Sequence, residues 1–215
     1  FLSSRKAPKF DEPETLSLKR LYKISPFGLI GTFASGAITG AIFGLGAVYA
    51  SGADMTLSQI STFMALYIAG GAAFQIPIGW ASDHYDRRIV IIMVALLATL
   101  ISMGCFIASS EPYILNILFF IFGGLSLSIY SLSMTHINDH LTARQYVAAG
   151  SSAILVNGVG ASTGHVAISV LMSFFGNAVY FPIISALSLA FFLYGVNRMF
   201  KRGAIPMEDQ GDYMK

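Results

Sequence analysis

The chain has 215 residues, of which 55% are hydrophobic and only 11% charged, with a mean hydropathy of +0.68. A soluble globular domain carries about 25% charged residues, so that class is excluded. The formal net charge of +2 calls for no nucleic-acid partner, because the basic residues are banded along the chain in a way that membrane topology explains.

Between Phe27 and Met199 the acidic and basic residues are Asp54, Asp83, Asp86, Arg87, Arg88, Glu111, Asp139, Arg144 and Arg198, each at or near a break between apolar runs. Six runs remain, each long enough to cross a roughly 30 Å hydrocarbon core. They are Phe27–Ala50, Gln59–Ala81, Ile89–Ala108, Tyr113–Ile137, Ala143–Phe174 and Ala178–Met199. The expected fold class is an all-α membrane protein of six transmembrane helices, and its first partner is the lipid bilayer.

Residues 1–24 are polar, with Pro8, Pro13 and the acidic cluster Asp11, Glu12 and Glu14, and read as a linker. The chain opens on Phe1 rather than Met, so it is expected to be a piece of a longer product. From Thr15 to Ile24, Leu18, Leu21 and Tyr22 share one helical face while Lys19, Arg20 and Lys23 point elsewhere. The stretch is either a short amphipathic helix on the inner leaflet or the charged flank of the first span. Ser25 and Pro26 suit the N-cap and first position of that span.

The first span is rich in small residues. Gly36, Gly40 and Gly44 form two consecutive G-x-x-x-G units on one face, the pattern by which helices approach closely in lipid. Thr32, Ser35 and Thr39 add hydroxyls on adjoining faces, so the helix either packs only or also lines a pathway. Thr56 and Gln59 form a capping box for the second span, which carries Gly70, Gly71, Gln75 and Pro77. The third span offers aliphatic surface on every side and is expected to face lipid.

In the fourth span Ser126, Tyr130 and Ser133 fall at i, i+4, i+7, on one helical face. Thr142 and Gln145 form a second capping box. The fifth span carries Asn157, Gly158, Gly160, Gly164 and His165; the sixth, with Pro182 near its start, is greasy and reads as peripheral. First and fourth spans are hydroxyl-rich, third and sixth apolar, second and fifth glycine-bearing with isolated amides. That is a weak internal repeat of three plus three.

All thirteen Lys and Arg residues lie before the first span, in the second or fourth loop, or after the sixth span. Basic residues near span ends are retained in the cytoplasm. The multi-pass chain is therefore expected in the inner (cytoplasmic) membrane with both termini cytoplasmic.

Gly79, Asp83, Arg87 and Arg88 stand at the spacing G-x-x-x-D-x-x-x-R-R between the second and third spans, preceded by Gln75 and Pro77. This stretch resembles the loop signature of the major facilitator superfamily, with His84 and Asp86 departing from the usual pattern. The resemblance implies the C-terminal six-helix half of a carrier, built as two inverted three-helix repeats. Residues 1–24 would then be cytoplasmic linker, 25–200 the bundle and 201–215 a cytoplasmic tail. The implied function is secondary active transport of a small-molecule substrate by alternating access, together with a missing N-terminal six-helix half. Gly79, Asp83, Arg87 and Arg88 would form a cytoplasmic gate, with Asp83 accepting from amides at a helix N-terminus and the arginines pairing with Asp86 or Asp139.

Candidate residues for a substrate or proton pathway are Gln75, Ser126, Tyr130, Asn157 and His165. A polar group inside the membrane is costly unless paired, and interhelical hydrogen bonds explain the uncharged four equally well. Histidine as a residue type changes charge near physiological pH, and an ionisable residue inside a span is a functional candidate; His165 either relays a proton, contacts substrate, or is satisfied locally by Ser162, Ser169 and backbone carbonyls. The lone Cys105 cannot form an internal disulfide and has no Cys or His at metal-ligand spacing. No Walker loop, H-E-x-x-H or cysteine cluster occurs, so neither enzyme activity nor a cofactor or metal is expected. Intramembrane carboxylates are also absent, which favours neutral, amphipathic or weakly charged solutes. The rival readings are a non-transporting scaffold or receptor module that assembles through its G-x-x-x-G faces, and a six-span half acting as a homodimer.

Overall fold

A computed structural model describes residues 16–201. Residues 1–15 of the linker expected over 1–24, and residues 202–215 of the tail expected over 201–215, lie outside the described residues. The helices are α1 (Leu18–Ile24), α2 (Pro26–Gly52), α3 (Leu57–His84), α4 (Arg87–Ile107), α5 (Pro112–Asn138), α6 (Tyr146–Phe175) and α7 (Tyr180–Lys201). Short 3-10 turns at Ala143–Gln145 and Asn177–Val179 lead into α6 and α7. The described residues include no β-strand. Among the described residues six helices are long and apolar enough to cross a membrane, and each expected span matches one of them to within three residues at either end.

Local chemistry sets the helix ends. Gln59 N donates to Thr56 Oγ1 at 3.4 Å while Thr56 N donates to Gln59 Oε1 at 2.8 Å, closing the expected box. Thr142 and Gln145 form the second box ahead of α6. Pro26 and Pro112 open α2 and α5, where the missing amide costs nothing. Gly176, at φ 80°, stops α6 in a conformation that a side chain would strain.

Short connections make sequential helices antiparallel, and contacts fix which ends meet. A Cβ on Gly28 in α2 would run 2.6 Å from Ile137 near the end of α5. Gly195 of α7 lies against Phe27 of α2 and Ile92 of α4. At the opposite end Asn177 Nδ2 donates to Tyr49 O at 2.8 Å, and Ser102 Oγ to Phe181 O at 3.1 Å. The starts of α2, α4 and α6 and the ends of α3, α5 and α7 therefore share one end of the bundle, hereafter the Arg87 end. Lys19, Arg20, Lys23, Arg144 and Arg198 stand at that end too.

The strongest packing pairs are α2 with α6, α3 with α5 and α4 with α7; α4 also meets α5, and α2 meets α7. This scheme is unchanged when α2, α3 and α4 are exchanged for α5, α6 and α7. The three-plus-three repeat is thus present in the packing as well as in the composition. Two crossings are very tight. A Cβ on Gly36 or Gly40 would collide with the backbone of Asn157 or Ala161 in α6, and one on Gly160 or Gly164 with Phe33 O or Ala37 O of α2. The equivalent crossing joins Gly70 of α3 to Phe120 O, and Gly123 of α5 to Tyr67 O.

One expectation needs refinement. The third span, expected to face lipid, is open on one side only: α4 buries Ile91, Ala95, Ala98, Ser102 and Cys105 against its neighbours and exposes Met93, Leu97, Leu100 and their stripe. The open helices are α3 and α6, with 22% and 17% of their most apolar stretch buried. Uniform hydrophobicity cannot tell a protein-facing side from a lipid-facing one; small residues on α4 mark its packed face. Within the stretch expected as an amphipathic helix or a charged flank, Leu18–Ile24 forms α1, in which Leu21 is fully buried against Leu29, Ile137, Ala149 and Ala153 while Leu18 and Tyr22 stay exposed.

Candidate functional site

The connection from α3 to α4 is two residues long, Tyr85 and Asp86. Asp86 caps α4, its Oδ1 accepting from Arg88 N at 2.9 Å, and its Oδ2 lies 3.3 Å from Arg88 Nη2. Arg87 in the first turn is only 3% exposed. A charge so far from water must be paired and hydrogen-bonded, and this one is. Its Nε donates to Ser82 Oγ at 2.9 Å, its Nη1 donates to both carboxylate oxygens of Asp139 on α5, and its Nη2 reaches Asp83 Oδ1 at 3.5 Å. The Asp139 side chain is itself 2% exposed.

The motif therefore separates into two parts. Arg87 and Asp139 form a buried cross-link from α4 to α5, whereas the Asp83 side chain is 58% exposed. The expectation that Asp83 caps a helix N-terminus is not met among the described residues, where its bond is the long one from Arg87. Asp86, expected only as an ion-pair partner, takes the capping position instead. Gly79 stands one turn before Asp83 with nothing within 4 Å of where a Cβ would be.

A second feature lies between α2, α5 and α6. A cleft of about 420 Å³ is lined by Ser35, Thr39, Phe43, Leu127, Tyr130 and Asn157, together with Gly40 and Ala161. Its walls carry no charge. Thr39 Oγ1 donates to Ser35 O at 2.8 Å, and Asn157 Nδ2 donates to Thr32 O at 3.0 Å, leaving the Asn157 carbonyl oxygen as acceptor. Ser35 Oγ is buried without a hydrogen-bond partner. The cleft offers a few hydrogen-bonding groups on an apolar wall, the usual make-up of a small-molecule site.

Of the five pathway candidates, the structure brings Tyr130 and Asn157 together at this cleft. Ser126 is elsewhere, fully buried and donating to Tyr67 Oη at 3.0 Å. Ser133, from the same expected face, is buried against Gly31, so that i, i+4, i+7 row divides between cleft and core. Gln75 is exposed on α3. His165 is half-buried and its ring packs against Gly44, where a Cβ would overlap Nδ1. Ser162 donates to Gly158 O at 3.1 Å within its own helix rather than serving the imidazole. Gly36, Gly40 and Gly44 all face α6. Ser35, Thr39 and Phe43 were absent from the pathway candidates; the signal for Ser35 and Thr39 was their spacing of four beside Gly36 and Gly40.

Residues 28–210 match the sequence model of the Major Facilitator Superfamily. The chain belongs to that superfamily. Similar proteins include an uncharacterized MFS-type transporter of Yersinia enterocolitica, 26% identical over 169 residues, covering 77% of this chain and 42% of the relative. Another is the uncharacterized MFS-type transporter YfkF of Bacillus subtilis, 27% identical over 175 residues, 79% of this chain and 44% of the relative. A third is the uncharacterized MFS-type transporter YcaD of Escherichia coli, 24% identical over 193 residues, 88% of this chain and 48% of the relative. The chain thus spans a little under half the length of these MFS relatives. Superfamily membership supports transport rather than catalysis, in a multi-pass membrane protein.

Proposed function

We propose that this chain is the C-terminal half of a major facilitator carrier that moves a small solute by alternating access, a second six-helix half completing the cavity. The observation that carries the reading is the uneven burial around the cleft. The cleft borders α6, and the poorly buried helices α3 and α6 carry rows of exposed apolar and small residues. Among them Gly79 and Gly158 have nothing within 4 Å. Such faces suit a partner body packed against them, and the relatives have the length to supply one. In this reading Ser35, Thr39, Tyr130 and Asn157 form one wall of the substrate path. Gly79, Asp83, Arg87 and Arg88 form the gate at the cytoplasmic end. Arg87 holds the gate loop on α5, and the exposed Asp83 carboxylate reaches the other half when that end is closed.

The basic residues gathered at the Arg87 end support a cytoplasmic placement of that end, and with it both termini, in the inner membrane. Gln75 and His165 take structural or inter-half roles rather than cleft roles.

The deciding experiment is the intact mass of the native product extracted from membranes. A mass near twice 23.1 kDa is expected. A mass near 23.1 kDa would overturn the half-carrier reading in favour of six spans that stand alone or pair with a second copy.

A further inference from the structure

The cleft between α2, α5 and α6 is graded along its length. The crossing of α2 with α6 sets the levels: a Cβ on Gly36 would meet Asn157, one on Gly40 would meet Ala161, and one on Gly44 would meet His165. Ser133 of α5 lies against Gly31 of α2, and these two helices run antiparallel. Tyr130, about one turn earlier on α5, is therefore level with Ser35 and Gly36, and so with Asn157. Phe43 lies toward the opposite end, and Leu127 is displaced from Tyr130 in the same direction. The polar side chains Tyr130 and Asn157 thus share the part of the cleft nearer the Arg87 end, the small residues Gly40 and Ala161 form its middle, and Phe43 stands at the far part. From Gly36 to Phe43, α2 rises about 10 Å at about 1.5 Å per residue.

The atoms on offer at the polar part are specific. Ser35 Oγ is buried and Thr39 Oγ1 donates back to Ser35 O, so neither hydroxyl is on offer as a donor. Tyr130 Oη and Asn157 Oδ1, by contrast, are accessible and accept or donate no hydrogen bond among the described residues. Asn157 Nδ2 donates to Thr32 O at 3.0 Å, which fixes the amide with Oδ1 as the free acceptor. The Tyr130 hydroxyl can donate or accept. At the far part Phe43 is 53% exposed, its ring set edge-to-face on Tyr67 with centroids 5.6 Å apart. No lining side chain is charged, and His165 is not among them. An alcohol or amide satisfies Asn157 and Tyr130 together. A carboxylate would find no cation here and an ammonium no carboxylate, so either would lose its hydration uncompensated.

We propose that the cleft takes an uncharged amphipathic solute, a hydroxyl or amide at one end of a flat apolar body about 10 Å long. Its polar end points toward the Arg87 end, donating to Asn157 and accepting from Tyr130, and its body lies over Gly40 and Ala161 to reach Phe43. This solute class rests on the carrier reading, which makes the cleft one wall of a substrate path.

The test uses the whole native product, purified into phosphatidylcholine nanodiscs. Thermal unfolding is followed against four matched probes, namely 4-phenylbutanol, its methyl ether, 4-phenylbutylamine and 4-phenylbutyrate. The alcohol should give a saturable rise in Tm. The ether, which cannot donate, should bind roughly three- to tenfold more weakly, as loss of one hydrogen bond does, and the two charged probes more weakly still. Asn157→Ala should abolish the preference for alcohol over ether. Phe43→Ala, at an exposed ring, should weaken both alike and keep the preference. Leu100→Ala, on the exposed stripe of α4, should behave as wild type. The proposal is overturned if no probe raises Tm, if either charged probe binds as well as the alcohol, or if the alcohol preference survives Asn157→Ala and Tyr130→Phe together. Uptake of the same probes into proteoliposomes reports on the carrier reading separately. Selective binding of the alcohol without uptake removes carriage and keeps the solute class, whereas uptake of the amine or the carboxylate in its place keeps carriage and removes the class.

Discussion

Arg87 and Asp139, 52 residues apart, meet as an ion pair in which Nη1 donates to both carboxylate oxygens and both side chains are almost wholly buried. The pair ties the first turn of α4 to the C-cap of α5 and so clamps the short connection between α3 and α4 onto the bundle. Removing one partner strands the other charge away from water, which costs about 3–5 kcal/mol. Arg87→Gln and Asp139→Asn should each lower the unfolding midpoint in detergent steeply. A well-packed double replacement, Arg87→Met with Asp139→Leu, should recover much of that loss, since a buried pair adds little beyond its own desolvation. A double variant no better than either single would argue that the pair does more than satisfy itself.

Asp83 sits four residues before Arg87 and behaves as its opposite. Its side chain is 58% exposed and its bond to Arg87 is long, 3.5 Å. Asp83→Asn should therefore change stability by no more than about 0.5 kcal/mol, as a surface substitution does, while abolishing transport if the carboxylate serves a gate between halves. Transport assay beside a thermal melt separates the two effects. Normal transport in the variant would remove Asp83 from the gate.

The glycines divide by surroundings. At Gly40 a Cβ meets the Ala161 backbone, whereas Gly158, on the same pair of helices, has open space. Gly40→Ala should force α2 and α6 apart at a cost of about 1–3 kcal/mol, the usual range for overpacking. Gly158→Ala should melt like the wild type, and any effect it has should appear only in transport or in association with a second half.

Tyr130→Phe deletes one hydroxyl from the cleft without breaking any hydrogen bond among the described residues. The expected outcome is a raised KM for transport at unchanged Tm. The phenyl ring keeps the apolar wall, so only a solute that uses the hydroxyl registers the change.

Topology is open to direct labelling, because the native thiol, Cys105, is fully buried. A cysteine replacing the exposed Glu111, at the end opposite Arg87, should react with a membrane-impermeant maleimide on intact cells. One replacing Arg144, at the Arg87 end, should react only after permeabilisation. The reverse pattern would invert the assigned orientation.

Which of these features could be read from residues alone depends on the range of the interaction. Span boundaries and both capping boxes came through because they rest on runs and on contacts three residues apart. The exchangeable triplets were visible because each helix keeps the composition its neighbours demand: glycine where backbones touch, hydroxyls where helices surround a cleft. The partner of Arg87 was narrowed to Asp86 or Asp139 but not chosen, since burial of Asp139 depends on where α5 ends relative to α4. Ser126 and Tyr130 looked equivalent on one helical row. Only the approach of Tyr67 from α3 turns the first into a core hydrogen bond and leaves the second at the cleft. The packed side of the third span was not legible because, in lipid, leucine and isoleucine do not report which side is dry.

The glycine crossing of α2 with α6 also bears on how the protein is made. Thr32 and its partner Asn157 are 125 residues apart. At about 5–20 residues per second, the ribosome delivers the second helix roughly 6–25 s after the first. Throughout that interval the groove of small residues on α2 lacks the helix that fills it. In order of synthesis both members of the α3 and α5 pair are complete before the α2 and α6 pair is. An early span held in that state is a natural client for a membrane insertase, and slowing translation between α5 and α6 should lengthen that dependence.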